Sequence, residues 1–265
     1  MNFAWRNSME EEDNPPARKV VSRSPAKTVR VLNLRGIWDR PVECESTLER
    51  DFIYRLALCP GVVRCQHQPF RLKLASGRTY TPDFLASHRD GTSTVVEVKP
   101  EEKVADYLSV FDEAKSRLSE RGISFVVLTE ERIRANKAHE RASLILRYRK
   151  TAPDCQVLDR IRSVLQERVN TMSINVLLTR ADAPLEALFH LIAIRAVVPS
   201  RDLLIAGDAQ VRLFNESENH RAFCTQGWFG VSPWRAAPRS DKDSGKRRGA
   251  ISRRADVPGS NRQAG

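Results

Sequence analysis

Leu48, Phe52, Ile53, Leu56 and Ala57 recur at helical spacing and mark one apolar face. Ser46 with Glu49 three residues later matches a capping box, so the spacing predicts a helix from Ser46 to near Pro60-Gly61. The period then shortens. Runs rich in β-formers, Val62 to Cys65, Phe70 to Leu74, Arg78 to Thr81, Asp83 to Ala86 and Thr92 to Val98, are divided by Ser76-Gly77 and Asp90-Gly91 turn signals and predict a meander of strands. After Pro100 the helical spacing returns in Val104, Leu108, Phe111, Ala114 and Leu118, closed by Gly122. Ile123 to Thr129 is a continuous apolar run, as expected of a strand buried on both faces. A helix followed by such a strand implies a crossover unit, so this part of the chain is α/β.

Glu130 to Lys150 reads as helical and strongly basic, for which a solvated face is the ordinary explanation. Ala152-Pro153-Asp154 reads as a boundary. Helices are expected at Asp154 to Val169, Ser173 to Arg180 and Ala183 to Ala196, followed by short β-runs at Val197-Val198, Leu203 to Ala206 and Gln210 to Phe214. Three helices and a hairpin suit a winged-helix-like module, and equally a plain packing domain. The first 40 residues mix Pro15, Pro16, Pro25, serines and charges and read as a mobile arm, with order expected to begin near Trp38. Beyond Glu216 the composition becomes polar and rich in Gly, Pro and Arg. The expected division is an arm at 1–40, an α/β domain at 41–150, a winged-helix-like domain at 151–215 and a basic disordered tail at 216–265.

Composition sharpens this picture in two ways. The 265 residues are 41% hydrophobic and 29% charged, a globular balance. Apolar stretches such as Leu185 to Val198 are broken by Glu186, His190 and Arg195, and none approaches the roughly 20 residues a membrane span needs. No basic-then-apolar leader opens the sequence, so cytoplasmic residence without membrane association is expected. The net charge of +11 favours a polyanionic partner. Its distribution is uneven: residues 233–265 hold nine basic and three acidic side chains, more than half of the excess. Five cysteines without CxxC pairing indicate reduced thiols rather than a disulfide framework or a zinc site.

The densest chemistry lies at Thr81-Pro82-Asp83-Phe84, followed fourteen residues after Asp83 by Glu97-Val98-Lys99. Alternation along a strand puts Glu97 and Lys99 on one face and Val96 and Val98 on the other. Two acids and a lysine can thereby converge, the set that Mg²⁺-assisted phosphodiester hydrolysis requires: oxygen ligands for the ion, and an ammonium to stabilise developing charge. The same residues also fit surface charges on a hairpin. Glu49 can supply a third carboxylate or merely close the capping box with Ser46; Glu45 is available but less fixed. Gln68, beside His67, can line the same cleft or make a turn contact.

Taken together, Glu45-Ser46-Thr47-Leu48-Glu49-Arg50-Asp51-Phe52, Gln68-Pro69-Phe70, Tyr80-Thr81-Pro82-Asp83-Phe84-Leu85 and Glu97-Val98-Lys99-Pro100 resemble, in this order, the N-terminal domain of the TnsA endonuclease family. These are endonuclease subunits of Tn-seven-type heteromeric transposases. The resemblance covers about residues 38–130 and implies a TnsA-type nuclease domain at 41–150, with a restriction-endonuclease-like mixed sheet flanked by helices and a smaller winged-helix-like domain behind it. It implies a Mg²⁺-dependent site with catalytic residues Glu49, Asp83, Glu97 and Lys99, the three acids as metal ligands. It further implies cleavage of DNA at transposon 5′ ends, with a DDE transposase subunit, TnsB, acting at the 3′ ends and an AAA+ ATPase, TnsC, as regulator, in the bacterial cytoplasm at the nucleoid. Glu97 departs from relatives with glutamine at that position, a change that favours metal binding. No GxxxxGK[ST] loop occurs, which leaves ATP hydrolysis to another chain, and no HExxH or nucleophile elbow points to a protease or esterase. A stand-alone restriction, repair or junction nuclease of the same fold, and a noncatalytic DNA-binding adaptor, remain open alternatives.

Overall fold

The computed structural model describes residues 29–167 and 171–235. The arm expected before residue 29 and the basic clusters Lys246-Arg247-Arg248 and Arg253-Arg254 lie outside the described residues. The chain opens with β1 (Arg30–Leu32) and β2 (Val42–Cys44), then α1 (Thr47–Ala57), β3 (Val62–His67), β4 (Leu72–Lys73), β5 (Thr79–Tyr80), β6 (Phe84–His88) and β7 (Ser93–Val98). Next come α2 (Glu101–Val104), a 3₁₀ turn at Ala105–Tyr107, α3 (Leu108–Ser119), β8 (Ser124–Leu128), α4 (Glu130–Ile133) and α5 (Ala138–Ile145). The C-terminal part contains α6 (Cys155–Gln166), β9 (Met172–Ser173), α7 (Ile174–Ala181), α8 (Leu185–Ala193), β10 (Val197–Pro199), β11 (Gln210–Leu213) and α9 (His220–Ala222), which runs on into a wide π-helical turn at Phe223–Phe229.

The central sheet has the order β3-β6-β7-β8, antiparallel except for the parallel pair β7 and β8. That parallel pair is joined through α2 and α3, the crossover expected when a buried strand follows a helix. Strand alternation sorts the apolar residues onto two faces. Phe84, Ala86, Val96, Val98, Val126 and Leu128 join α1 in one core, while Leu85, Val95, Phe125 and Val127 pack with Phe111, Ala114 and Leu118 of α3 in the other. The architecture is therefore α/β, a mixed sheet with helices on both sides. Ser46 caps α1 as its spacing predicts, its side chain accepting from the Glu49 N–H. The chain then turns back at Gly61, whose φ is +81° and where a Cβ would lie 2.8 Å from Nδ1 of His220.

Several boundaries differ from the sequence expectation. Order reaches back to β1, which pairs antiparallel with β2, and Leu34, Ile37 and Trp38 are buried, because this segment covers the end of the first core. The expected helix over 130–150 is interrupted at Asn136 and Lys137, both in the left-handed region, and splits into α4 and α5. Leu203 to Ala206 is not a strand, Leu203 having a φ of 53°, and the short strand β9 takes its place in the sheet β10-β11-β9. Residues beyond 216 remain folded as far as Arg235: Trp228 and Phe229 are buried in the first core, which the polar composition of this stretch conceals. That same core runs through the boundary expected at 150, since α8 packs on α5 and on the turn at Leu146–Arg149.

Arg55, fully buried on α1, fastens these parts together. Its Nη1 donates to the carbonyls of Arg132 and Ile133 and its Nη2 to those of Arg201 at 3.1 Å and Trp228 at 3.0 Å. The guanidinium lies over the Phe229 ring, and Trp228 Nε1 donates back to the Arg55 carbonyl. Burial lowers the Arg55 pKa to about 10, so it stays charged at neutral pH. The Ile133 and Trp228 carbonyls that end here are buried and draw their side-chain donor from this guanidinium.

Two measurements follow from this packing. Arg55→Met keeps apolar volume but removes every donor, and is expected to cost roughly 3–5 kcal/mol in chemical denaturation; a loss below about 1 kcal/mol would show the anchor to be dispensable. His88, buried with Nε2 3.0 Å from Thr94 Oγ1, has its pKa pushed down by burial to about 4 from 6.5. Below pH 6.5 the unfolded chain takes up a proton that the folded ring refuses, so this contribution is present above 6.5 and is lost as pH falls towards about 4. Relative to His88→Gln, the wild type should lose roughly 3 kcal/mol more between those limits. Parallel stability curves for the two proteins would contradict this.

Candidate active site

The β6–β7 register aligns Phe84 with Val96 and Leu85 with Val95, and one further step brings Asp83 level with Glu97. Side chain and backbone interlock there. Asp83 Oδ2 accepts from the Val98 N–H at 2.9 Å and from Lys99 Nζ at 3.4 Å, while Lys99 Nζ lies 2.7 Å from Glu97 Oε1. The other oxygen of Glu97 accepts from the Tyr80 hydroxyl and from the Asp83 N–H at 3.3 Å. Val96 and Val98 point into the first core, as strand alternation predicts, but the opposite side of β7 is not a solvated hairpin face: Glu97 is only 3% exposed.

Two acids this close, Glu97 buried and Asp83 partly so, resist ionising together. Burial first, then the Asp83 charge, pushes Glu97 up to about 7 against the pull of Lys99. Asp83 is likewise raised by burial, with Lys99 and the Val98 N–H opposing. For Lys99 burial works against the ammonium, but the two carboxylates outweigh it and hold the group above its ordinary range. Burial and the Glu97 charge keep Tyr80 protonated, so it remains a donor.

Glu49 is engaged in the capping box. Its Oε2 accepts from the Glu45 N–H at 2.8 Å and its Oε1 from Ser46 Oγ at 3.0 Å. The same carboxylate also lines a cleft with Glu45, Gln68 and Asp83, so capping and cleft position coincide. Burial raises its pKa, and the Asp83 charge adds to the rise. Gln68 does both things expected of it: its N–H donates to the Asp83 carbonyl at 2.7 Å, and its Nε2 donates to Glu45 Oε1 at 3.1 Å. It does so from a φ of 40°, a strained value for a residue with a Cβ. Across the cleft His67 Nε2 faces Glu43 Oε2 at 3.4 Å.

The site is thus gathered in two steps: the acids Glu49 and Glu45, with the amide of Gln68, line the cleft with Asp83, and Asp83 links them to Glu97 and Lys99 behind it. Among the described residues no three His, Cys, Asp or Glu side chains close into a metal cage. The adjacent pair Asp83 and Glu97 nevertheless fits a hard divalent cation in the chemistry of its donors, which are carboxylate oxygens. The sequence pattern by itself does not single out Glu43 or Tyr80 as site residues. Tyr80 shows a signal in hindsight, the inward position of the run beside Asp83; Glu43 shows none.

No curated protein matches the chain. A protein-family comparison does: residues 59–130 match the family described as TnsA-like endonuclease N terminal. The matched stretch contains Gln68, Asp83, Glu97 and Lys99 and begins after α1, so Glu45 and Glu49 precede it. The region that builds the Asp83, Glu97 and Lys99 cluster is accordingly similar to a TnsA-like endonuclease N-terminal region.

Proposed function

We propose that this chain is the Mg²⁺-dependent DNA endonuclease subunit of a heteromeric cut-and-paste transposase, hydrolysing phosphodiester bonds at transposon 5′ ends in the bacterial cytoplasm, on nucleoid DNA. The observation that carries the proposal is the Asp83, Glu97 and Lys99 cluster inside the family match. Asp83 and Glu97 would hold the ion, with Glu49 and Gln68 on the cleft side. Bound there, Mg²⁺ supplies Lewis acidity and a more acidic water. Lys99 brings a positive charge to the phosphoryl oxygens, and Tyr80 fixes the Glu97 carboxylate through its hydroxyl.

Sequence reading of DNA is assigned to the partner TnsB, with TnsC as the regulator, because a surface that contacts phosphates positions a protein without specifying sequence. The order α6-β9-α7-α8-β10-β11 with sheet order β10-β11-β9 supports a winged-helix-like module. In such modules the third helix usually enters the major groove. Here Ala187 to Ala193 of α8 are buried against the nuclease part, so we assign α8 to holding the module in place and any DNA contact to its other surfaces.

The test is nicking of end-labelled transposon DNA by the assembled complex in Mg²⁺ and in EDTA. Asp83→Asn keeps an acceptor for the Val98 N–H but loses a charged ligand, and is expected to abolish cleavage while DNA binding survives. Lys99→Ala should retain the ion and lose about a hundred- to a thousandfold in rate. A folded Asp83→Asn protein that still cuts 5′ ends would remove the assigned site.

A further inference from the structure

We propose that Tyr107 is a positioning residue for Lys99, holding its ammonium at the scissile phosphate once a cation occupies Asp83 and Glu97. The inference rests on the nuclease reading of that cluster. Lys99 Nζ lies 5.7 Å from the centroid of the Tyr107 ring, within the range of a cation–π contact. Its two ionic partners are the carboxylates that a divalent ion would engage. When those charges turn to the ion, the ammonium loses its attraction to them and meets a second positive charge. The aromatic ring is the partner that attracts an ammonium without a formal charge, so it does not compete for the ion.

Tyr107 is 40% exposed, yet its ring is fixed from behind. It stacks on Phe111 at 5.8 Å between centroids and 19° between planes. Phe111 is fully buried, packed on Phe125 and met edge-on by Trp234 at 5.4 Å. Trp234 is tied down in turn: its Nε1 donates to Asp112 Oδ1 at 2.7 Å and its backbone N–H to the Phe125 carbonyl at 2.8 Å. A ladder of rings thus runs from the edge strand β8 to the lysine, which gives an exposed side chain the rigidity a positioning role requires. Tyr107 falls outside the apolar stripe of Val104, Leu108 and Phe111, and Phe70 to Leu74 and the other β-runs do not point to it either.

The experiment uses the full chain labelled with [¹³Cε]lysine, the Lys99 resonance being identified by its absence in Lys99→Arg. In the wild type the ring current should shift the Lys99 Cε protons upfield, both without metal and with Mg²⁺. Tyr107→Phe should retain the shift and Tyr107→Leu should lose it. In single-turnover cleavage, Tyr107→Leu should lose about three- to tenfold in rate with DNA affinity unchanged, and Tyr107→Phe should recover most of it. A Lys99 resonance unmoved in Tyr107→Leu, a shift that vanishes on adding Mg²⁺, or a rate loss matched by a loss of DNA affinity would overturn the proposal. If the wild type cuts no DNA under any condition the nuclease reading fails, whereas the resonance still decides the contact itself.

Discussion

Lys99 stands between Glu97 and Asp83 where β7 leaves the sheet, and its ammonium is what allows two acids to share a largely buried site. Without it, the like charges would force one carboxyl to stay protonated, and the hydrogen bonds that Glu97 accepts from Tyr80 and Asp83 accepts from Val98 would weaken. Burial, with the Asp83 charge added to it, still leaves the Glu97 pKa raised to about 7.

The rest of the fold keeps that cluster in register. Antiparallel pairing of β6 with β7 sets Asp83 against Glu97, and a one-residue slip would send one of them into the opposite core. Arg55 and Arg195 hold the surrounding layers by the same physical device, a buried guanidinium that collects loop carbonyls. Arg195 donates to the carbonyls of Val62 and Ile37, which ties the end of α8 to the start of β3. These arginines join α1, the start of β3 and the C-terminal elements, the layers that surround the helix bearing Glu49.

Period and turn chemistry made the central elements legible: the capping box of α1, the meander, the α3 stripe and the buried strand β8 all occur where local pattern places them. The motif residues were legible too, because strand alternation fixes the side on which Glu97 and Lys99 stand. What the pattern could not carry was determined by distant contacts. The segment before Trp38 forms β1 because β2 offers it an edge, and the stretch after Glu216 folds because Arg55 and the first core receive Trp228 and Phe229. Likewise the burial of Glu97 and the contact of the strained Gln68 with Glu45 depend on neighbours far away in sequence.

The central claim is that Asp83 and Glu97 form a cation site facing DNA, and DNA affinity with and without Ca²⁺ at constant ionic strength tests it most directly. Without the ion the two carboxylates repel phosphate; with it the repulsion turns to attraction. Ca²⁺ should therefore tighten wild-type binding several-fold, whereas the doubly neutral variant Asp83→Asn with Glu97→Gln should bind tightly in EDTA and respond little to the ion. An equal response of both proteins to Ca²⁺ would contradict the account.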